Sequence, residues 1–398
     1  MESIFERINE LSFKYRDFTA SCLSELVKIK SLSGREKEVQ VTLRRLMLNA
    51  GFDEVRIDGM GNVIGRIGKG KKILAIDGHV DTVDSGSRQN WSFEPFCGEI
   101  RDGFVLGRGA ADQKGGVASL VTAGRILREL GFDKDVTVYF TGTVFEEDCE
   151  GLCWKYIIEE EGIKPDTVII TEPTGLNLYL GHRGRMEMQV HLHGRSSHGS
   201  APGLGMNAAY MASRTALEVE KLNGRLAEDA FLGKGSITVT DIISRGPSLC
   251  AVPDYSRLHL DRRLTSEETR EKAVEEIEEL LQGMEAEVDI PVSNVRTYTG
   301  LELSNEQYYP AWKTDESDAV VRRAVKVHRV LTGSHLSTGR WLFSTNGVMT
   351  SGMYGIATIG FGPGEESMAH APDEKIRISD LVTASAFYAA YAYEMAND

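Results

Sequence analysis

The chain has 398 residues, of which 41% are hydrophobic and 26% are charged, enough to bury one large core or two moderate ones. Its 45 Lys and Arg against 59 Asp and Glu give a net charge of −14, which argues against nucleic acid or an anionic membrane as a partner. Apolar runs are short and the five cysteines are few, so we expect a cytoplasmic protein with reduced thiols and no membrane contact.

The first part of the chain, to about residue 180, alternates strand-like and helix-like segments, as in a sheet covered by helices. The clearest strands read KKILAIDGHVD, DVTVYFTGTVF and PDTVIITEP, and helical periodicity covers 115–131. Ser33 and Glu36 have the spacing of a capping box and predict a helix that begins there and ends near Gly51. An α/β domain is therefore predicted.

The pattern changes near residue 183. The predicted elements are then strand 185–193, helix 206–222, strand 235–243, strand 255–264, helix 266–282 and strand 285–292. This βαββαβ order is typical of a small ferredoxin-like α+β domain, and Thr265 and Glu268 fit a capping box before its second helix.

From residue 296 the α/β pattern returns, with a helix at 317–331, a strand at 354–362 and a helix at 379–395. We therefore predict a discontinuous main domain of residues 1–182 and 296–398. An inserted domain of residues 183–295 splits it.

Candidate metal ligands follow several strands of the main domain. They are His79, Asp81, Glu146, Glu147, Glu172 and, in the loop after the last strand, His370; Asp112 lies in the glycine-rich bend GRGAADQKGG. Because the carboxyl ends of parallel strands meet at one edge of a sheet, these side chains are expected to converge. Imidazole and carboxylate ligands suit Zn²⁺, and two histidines with three carboxylates suffice for two ions that share a ligand.

The residue types and their spacing do not assign a role to each side chain of this set. Of the adjacent Glu146 and Glu147, one can bind metal while the other takes a proton from water, and Asp148 and Glu150 compete as ligands. Asp81 can accept the second N–H of a metal-binding histidine.

Two nearby features of the sequence offer further candidate groups. Cys149 and Cys153 are four residues apart and can offer thiolates to a metal, although small buried residues are the favoured interpretation. His198 lies in a Ser/Gly/Pro-rich loop, where a functional role is plausible.

Motifs along nearly the whole chain resemble those of the M20 metallopeptidases and their amidohydrolase relatives. In order they read GHVDTV, NWSFEPFCGEIRDGFVLGRGAADQKGG, FEEDCEG, TEPT, GRSSHGSAPGLGMNAA, DRRLT and FGPGEESMAHAPDE. The DQKGG form is also similar to the subgroup called selenium-metabolism-linked hydrolases, a fainter match that defines no reaction.

The resemblance implies a mixed-sheet zinc-peptidase catalytic domain whose insert serves as a dimerisation or lid domain. It implies that His79 and Glu172 bind one metal, that Glu147 and His370 bind the other, and that Asp112 bridges them. Glu146 would be the general base, supported by Asp81 beside His79. His198 would reach the active site of a neighbouring subunit and stabilise the oxyanion there, and Arg263 of the DRR motif would bind a substrate carboxylate.

The chain departs from the family pattern at two positions near the site. Gln113 replaces the commoner Met, and Thr345-Asn346 replaces a common Thr-Asp pair, so Asn346 is predicted to contact substrate. The expected activity is hydrolysis of an amide in a small carboxylate-bearing substrate, as by an N-acyl amino acid deacylase. A di- or tripeptidase or a carboxypeptidase is the alternative, and a non-catalytic metal-binding protein is the rival class.

The expected cofactor is zinc at two ions per chain, with Co²⁺ or Mn²⁺ fitting the same ligands. The expected partners are a small-molecule or short-peptide substrate and a second copy of the chain, bound through the insert.

Overall fold

The structure is a computed structural model that describes residues 3–397. Its helices are α1 Ile4–Lys14, α2 Arg16–Val27, α3 Lys37–Asn49, α4 Gly115–Glu129, α5 Leu152–Glu159, α6 Ala208–Arg225, α7 Arg270–Leu280, α8 Ala319–Thr332 and α9 Ile378–Met395. Its first strands are β1 Glu54–Ile57, β2 Val63–Ile67, β3 Lys72–His79, β4 Ile100–Arg101, β5 Phe104–Leu106, β6 Val136–Thr143, β7 Thr167–Ile170, β8 Leu178–Tyr179, β9 Gly181–His182, β10 Gly184–His193 and β11 Glu228–Asp229. The later strands are β12 Gly233–Lys234, β13 Ser236–Arg245, β14 Tyr255–Leu264, β15 Ala286–Asp289, β16 Val292–Arg296, β17 Glu302–Glu306, β18 Tyr308–Tyr309, β19 Trp312–Lys313, β20 Thr338–Gly339, β21 Ala357–Gly360 and β22 Lys375–Arg377.

The larger sheet is mixed, with the strand order β1-β2-β6-β3-β7-β21-β8-β20. Its central strands β6, β3, β7 and β21 run parallel to one another, whereas β2 is antiparallel to both β1 and β6. The side chains of β7 are all buried, as expected for a strand covered on both faces. Helices α1, α2, α4 and α9 pack against one another. The predicted mixed α/β fold is confirmed.

The second sheet has the order β13-β14-β10-β15, and its strands pair antiparallel. When β10, β13, β14 and β15 are numbered 1 to 4 in chain order, the sheet order is 2-3-1-4. A ferredoxin-like fold with the element order βαββαβ has this strand order. Burial alternates strictly along β10 and β14, so each strand has one face toward the core under α6 and α7. Strand β18, from beyond residue 295, also pairs with β10, and the limits of the insert stay a prediction.

Both predicted capping boxes are wrong as helix starts. Helix α3 begins at Lys37 without a side-chain cap, because the Ser33 hydroxyl donates to Asp81 and Glu36 accepts the N–H groups of Gly34 and Phe145. Glu268 does accept the Thr265 N–H at 2.6 Å, but the helix begins only at Arg270, after an N-cap at Thr269. The first motif instead makes hydrogen bonds to distant segments, and the second closes a turn before the helix.

The main sheet brings the candidate ligands to one edge. His79 is the last residue of β3, and Glu146 and Glu147 follow the end of β6. Glu172 follows β7, and His370 lies in the loop after β21. These four strands are consecutive in the sheet and parallel, so their carboxyl ends meet at one place. Across residues 3–397, no helix combines the length and apolar character needed to cross a membrane.

Candidate metal centre

Two clusters of metal-ligating side chains share Asp112. One contains His79, Asp112 and Glu172, the other contains Asp112, Glu147 and His370, and the ligand atoms of each lie within 4.8 Å of one another. His79 Nε2 lies 3.2 Å from Asp112 Oδ1 and 3.4 Å from Glu172 Oε1. His370 Nε2 lies 2.9 Å from Glu147 Oε2 and 3.4 Å from Asp112 Oδ2. The two oxygens of Asp112 thus face different histidines, as in a bridging carboxylate.

A buried carboxylate holds the backbone at Asp112. Glu374 accepts the N–H groups of Gly109 at 3.0 Å, Ala111 at 2.8 Å and Asp112 at 3.0 Å. Its Oε2 also accepts the Arg108 guanidinium at 2.8 Å, and both side chains of this ion pair are buried. The glycine-rich bend before α4 is therefore fixed by four hydrogen bonds to one side chain.

Asp81 fixes both His79 and the loop that carries Glu146 and Glu147. His79 Nδ1 lies 2.9 Å from the Asp81 carbonyl oxygen and 3.5 Å from its carboxylate, so the main chain and not the predicted carboxylate makes the shorter contact. A proton held on Nδ1 leaves the Nε2 lone pair free to face a metal. The carboxylate instead accepts the N–H of Glu146 at 3.3 Å, the N–H of Glu147 at 3.1 Å and the Ser33 hydroxyl at 2.8 Å.

The carboxylate oxygens at the clusters are incompletely bonded. Glu146 is buried, and its Oε2 lies 3.8 Å from His79 Nε2. In the part of the chain that the structure describes, Glu146 Oε1, Glu147 Oε1 and Glu172 Oε2 are buried without a hydrogen-bond partner. Buried polar atoms are normally paired, and oxygen and imidazole donors are those of divalent ions such as zinc. The residues present therefore fit a metal centre.

The electrostatics of the site also favour a cation. Burial and the charge of Asp112 raise the pKa of Glu172 to about 8. Burial raises the pKa of Glu146 well above its ordinary value, and the charges of Glu172, Glu147 and Glu150 raise it further. Carboxylates this close repel one another when ionised, and bound cations relieve that repulsion.

The acidic residues of the loop after β6 separate into different environments. Glu147 joins the second cluster, Asp148 is exposed, and Glu150 lies with Oε1 3.7 Å from Arg185 Nη1. Asp148 and Glu150 therefore do not compete with Glu147 for a metal. Cys153 is buried with Sγ 3.3 Å from Asn346 Oδ1, and it belongs to neither cluster.

A cavity of about 770 Å³ opens over the two clusters. Besides the acidic residues of the clusters, its lining includes Arg185 from β10 and Arg263 from β14, which are directly paired in register. Arg263 donates to Asp261 through Nε at 2.9 Å and Nη2 at 3.2 Å. Arg185 is not among the site residues predicted from the sequence, although strand alternation places it on the same face as Glu187, and it pairs with Arg263 across the strands.

The structure corrects the prediction for Asn346. This residue is buried and is absent from the cavity lining. Its Nδ2 donates to Asp77 Oδ2 at 2.9 Å and to Thr143 Oγ1 at 3.2 Å, and its Oδ1 accepts the Gly151 N–H at 2.9 Å. Asn346 therefore ties its own loop to the sheet, which argues against the predicted contact with substrate.

His198 lies outside the cavity of its own chain. It is exposed on the loop after β10, with Nδ1 2.7 Å from the hydroxyl of Ser200. A role at an active site therefore requires a second subunit, and that role stays a prediction.

The sequence is similar to those of known proteins along most of its length. The model of the peptidase family M20/M25/M40 matches residues 75–394. The uncharacterized protein YgeY of Escherichia coli K12 is 45% identical over 388 residues, 97% of this chain and 96% of that protein. A probable succinyl-diaminopimelate desuccinylase of Staphylococcus epidermidis is 35% identical over 191 residues, 47% of each chain.

Among solved structures, the Bacillus subtilis YXEP protein, a dinuclear metal binding peptidase from the M20 family, superposes with a TM-score of 0.71 at 14% identity. The match covers 96% of this chain and 99% of that one, which shows the same fold. Since the family model spans most of the sequence and includes all five residues of the two clusters, the chain belongs to the peptidase family M20/M25/M40, whose members are metal-dependent hydrolases.

Proposed function

We propose that the protein hydrolyses an amide bond in a small substrate that bears a carboxylate, using a dinuclear zinc centre. The observation that carries this proposal is the position of Asp112, whose two oxygens face His79 at 3.2 Å and His370 at 3.4 Å. One carboxylate shared by two clusters is the arrangement that a two-metal hydrolase needs. The structural relative from B. subtilis is itself a dinuclear metal binding peptidase.

Zinc ions held by the two clusters would polarise the substrate carbonyl and lower the pKa of water. Glu146 is the general base. It is buried, its Oε1 has no partner among the described residues, and it lies beside both clusters without belonging to either. It takes a proton from the attacking water and then passes it to the leaving nitrogen.

The arginines on the cavity wall support a carboxylate-bearing substrate. Arg263 lines the cavity and is one-third exposed, so its guanidinium can exchange Asp261 for a substrate carboxylate. An N-acyl amino acid deacylase is the leading assignment, and a relative matched over 47% of this chain is a probable succinyl-diaminopimelate desuccinylase. A di- or tripeptidase or a carboxypeptidase is the second candidate, since the B. subtilis relative is a peptidase. Co²⁺ or Mn²⁺ would suit the same ligands as zinc.

The inserted domain would pair two copies of the chain. Strand β13 is ten residues long and is at the edge of the second sheet, and no other strand of the described chain pairs with its outer side. Exposed apolar side chains lie beside it, including Ile242 on β13 and Tyr210 and Leu217 on α6. A long exposed edge with apolar neighbours favours association with a second copy.

The proposal is tested by offering the zinc-loaded protein a pooled library of N-acyl amino acids, ureido acids and short peptides, with products identified by mass spectrometry. The Glu146→Gln variant is the matched control because it keeps the shape of the side chain. Cleavage by the wild type alone would support the hydrolase and identify its substrate class. Two metals bound per chain with no cleavage of any compound would favour a non-catalytic binding protein.

A further inference from the structure

Glu150 and Arg185, which belong to neither metal cluster, each have one buried polar atom without a hydrogen-bond partner among the described residues. Glu150 lines the cavity and is 8% exposed, and in the described chain its Oε2 has no hydrogen-bond partner. Arg185 also lines the cavity, and its buried Nε likewise has no partner. The closest contact of the two charged groups, from Arg185 Nη1 to Glu150 Oε1, is 3.7 Å, which is too long for a hydrogen bond.

The surroundings hold Arg185 in place. Its guanidinium lies over the ring of Tyr309, 5.0 Å from the ring centroid, and its Nη2 donates to Gln307 Oε1 at 3.2 Å. Glu187 Oε1 lies 3.4 Å from the same Nη2. The orientation is therefore fixed by neighbours from its own strand and from the segment near β18, while the Nε–H is left without an acceptor.

An unpaired donor and an unpaired acceptor are both costly when buried, so a site that keeps them is expected to be completed by a ligand. The ligand must offer an N–H donor to the carboxylate and an oxygen acceptor to the guanidinium, at neighbouring positions. An α-amino acid head group does so, because its ammonium and carboxylate are attached to the same carbon. A simple carboxylic acid satisfies only Arg185, and a simple amine satisfies only Glu150.

We propose that Glu150 and Arg185 form a subsite for the free ammonium and carboxylate of an amino-acid head group in the substrate. This subsite rests on the proposed amidase function and narrows its substrates to acylated diamino acids and related compounds, in which the scissile amide lies on the side chain. Arg263, opposite Arg185 in register, adds positive charge on the side of the carboxylate.

The test measures binding, so that it does not depend on turnover. Zinc-loaded Glu146→Gln protein is titrated by calorimetry with two matched trios of compounds. The first is Nε-acetyllysine, 6-acetamidohexanoate without the ammonium, and N-acetylcadaverine without the carboxylate. The second trio is built in the same way on Nγ-acetyl-2,4-diaminobutyrate and has a shorter spacer. The subsite predicts that, in at least one trio, the complete head group binds at least about tenfold more tightly than either truncated compound.

Further substitutions in the Glu146→Gln protein then show which residues cause this preference. Adding Glu150→Gln should reduce the preference for the ammonium-bearing compound over its des-amino partner to below about threefold. Adding Arg185→Gln should reduce the preference for the carboxylate instead, which provides a second, independent variant. Asp148→Asn is the matched control, because it removes a carboxylate from the same loop as Glu150 that is exposed and does not line the cavity, and the preference should survive it.

Three results would overturn the subsite: no measurable binding of any compound in either trio, equal affinity within both trios, or a preference that Glu150→Gln leaves unchanged. Zinc content and thermal unfolding confirm that each variant is folded. Hydrolysis by the wild-type enzyme is scored separately. If the Glu146→Gln protein shows no head-group preference while the wild type cleaves, only the subsite is rejected. If it shows the preference while the wild type cleaves nothing, only the amidase is rejected.

Discussion

The buried carboxylate of Glu374 accepts the backbone N–H of Asp112 at 3.0 Å, so the residue shared by the two metal clusters is positioned by a side chain 262 residues away. Glu374 does not touch a metal ligand side chain in this contact. It fixes the main chain from which the bridging carboxylate extends, and it neutralises the buried Arg108 guanidinium at 2.8 Å.

Glu374→Gln should therefore destabilise the whole domain. An amide accepts the N–H groups less well and leaves Arg108 as a buried charge without a counter-ion, which costs about 3–5 kcal/mol of unfolding free energy. Urea denaturation of the metal-free protein measures this loss. Glu94→Gln is the control, because its side chain is 74% exposed and its ion pair with Arg88 contributes at most about 1 kcal/mol. Equal losses in the two variants would contradict the role of Glu374.

Metal stoichiometry distinguishes a bridging ligand from a terminal one. Asp112→Asn should weaken both metal sites, because Asp112 belongs to both clusters. His370→Gln removes a ligand from only one cluster and should leave about one tightly bound zinc ion per chain. Dialysis against zinc followed by elemental analysis gives the number of zinc ions bound per chain in each variant. If Asp112→Asn loses a single ion and His370→Gln loses both, the proposed ligand sets are wrong.

Glu146→Gln should abolish turnover while it leaves metal binding intact. Its carboxylate is outside both clusters, so zinc content should be unchanged, whereas loss of a general base lowers kcat by about 10²–10⁴-fold. Asp148→Asn is the matched control, because Asp148 is exposed on the same loop and contacts neither cluster. Kinetics on the substrate found in the library measure both variants. A Glu146→Gln enzyme that keeps near-normal kcat would exclude Glu146 as the base.

Much of this site could be predicted from the sequence because strand ends are local features. The runs before His79, Glu147 and Glu172 are apolar and rich in β-branched residues, and parallel strands bring their ends together by necessity. The order βαββαβ likewise fixed the topology of the second sheet.

What could not be predicted depends on contacts between distant segments. Ser33 and Glu36 have the spacing of a capping box, but Ser33 bonds to Asp81 and Glu36 to Phe145, partners that no local pattern indicates. Asn346 has the polarity of a substrate-binding residue, yet its amide donates to Asp77 and accepts the N–H of Gly151. The contact of Glu150 with Arg185 joins the loop after β6 to strand β10 of the second sheet, and only the folded chain shows it.

Buried His182 makes stability depend on pH. Burial lowers its pKa to about 4 from an ordinary 6.5, and its ring contacts Thr345 Oγ1 at 3.1 Å and the Arg183 carbonyl at 2.8 Å. Below pH 6.5 this histidine binds a proton in the unfolded chain but stays neutral in the folded chain. The contribution of His182 to the free energy of unfolding is therefore complete above pH 6.5 and is lost as the pH falls toward 4.

The expected slope is about 1.4 kcal/mol per pH unit within that range. His182→Gln should remove this contribution, so the difference in unfolding free energy between wild type and variant should shrink as the pH falls from 7.5 to 5. Urea midpoints of the metal-free proteins measure it. A difference that is constant with pH would show that His182 titrates normally in the folded chain.

His198 is exposed and lies outside the cavity of its own chain. If it serves a partner's site, a His198→Asn chain and a Glu146→Gln chain should each be nearly inactive alone. Co-expressed, they should regain activity, because the His198→Asn subunit keeps Glu146 and receives His198 from its partner. Random pairing makes half of the dimers mixed, each with one complete site of two, so about a quarter of wild-type activity is expected. Two affinity tags isolate the mixed dimer. An inactive mixed dimer, or a chain that sediments as a monomer, would place His198 outside catalysis.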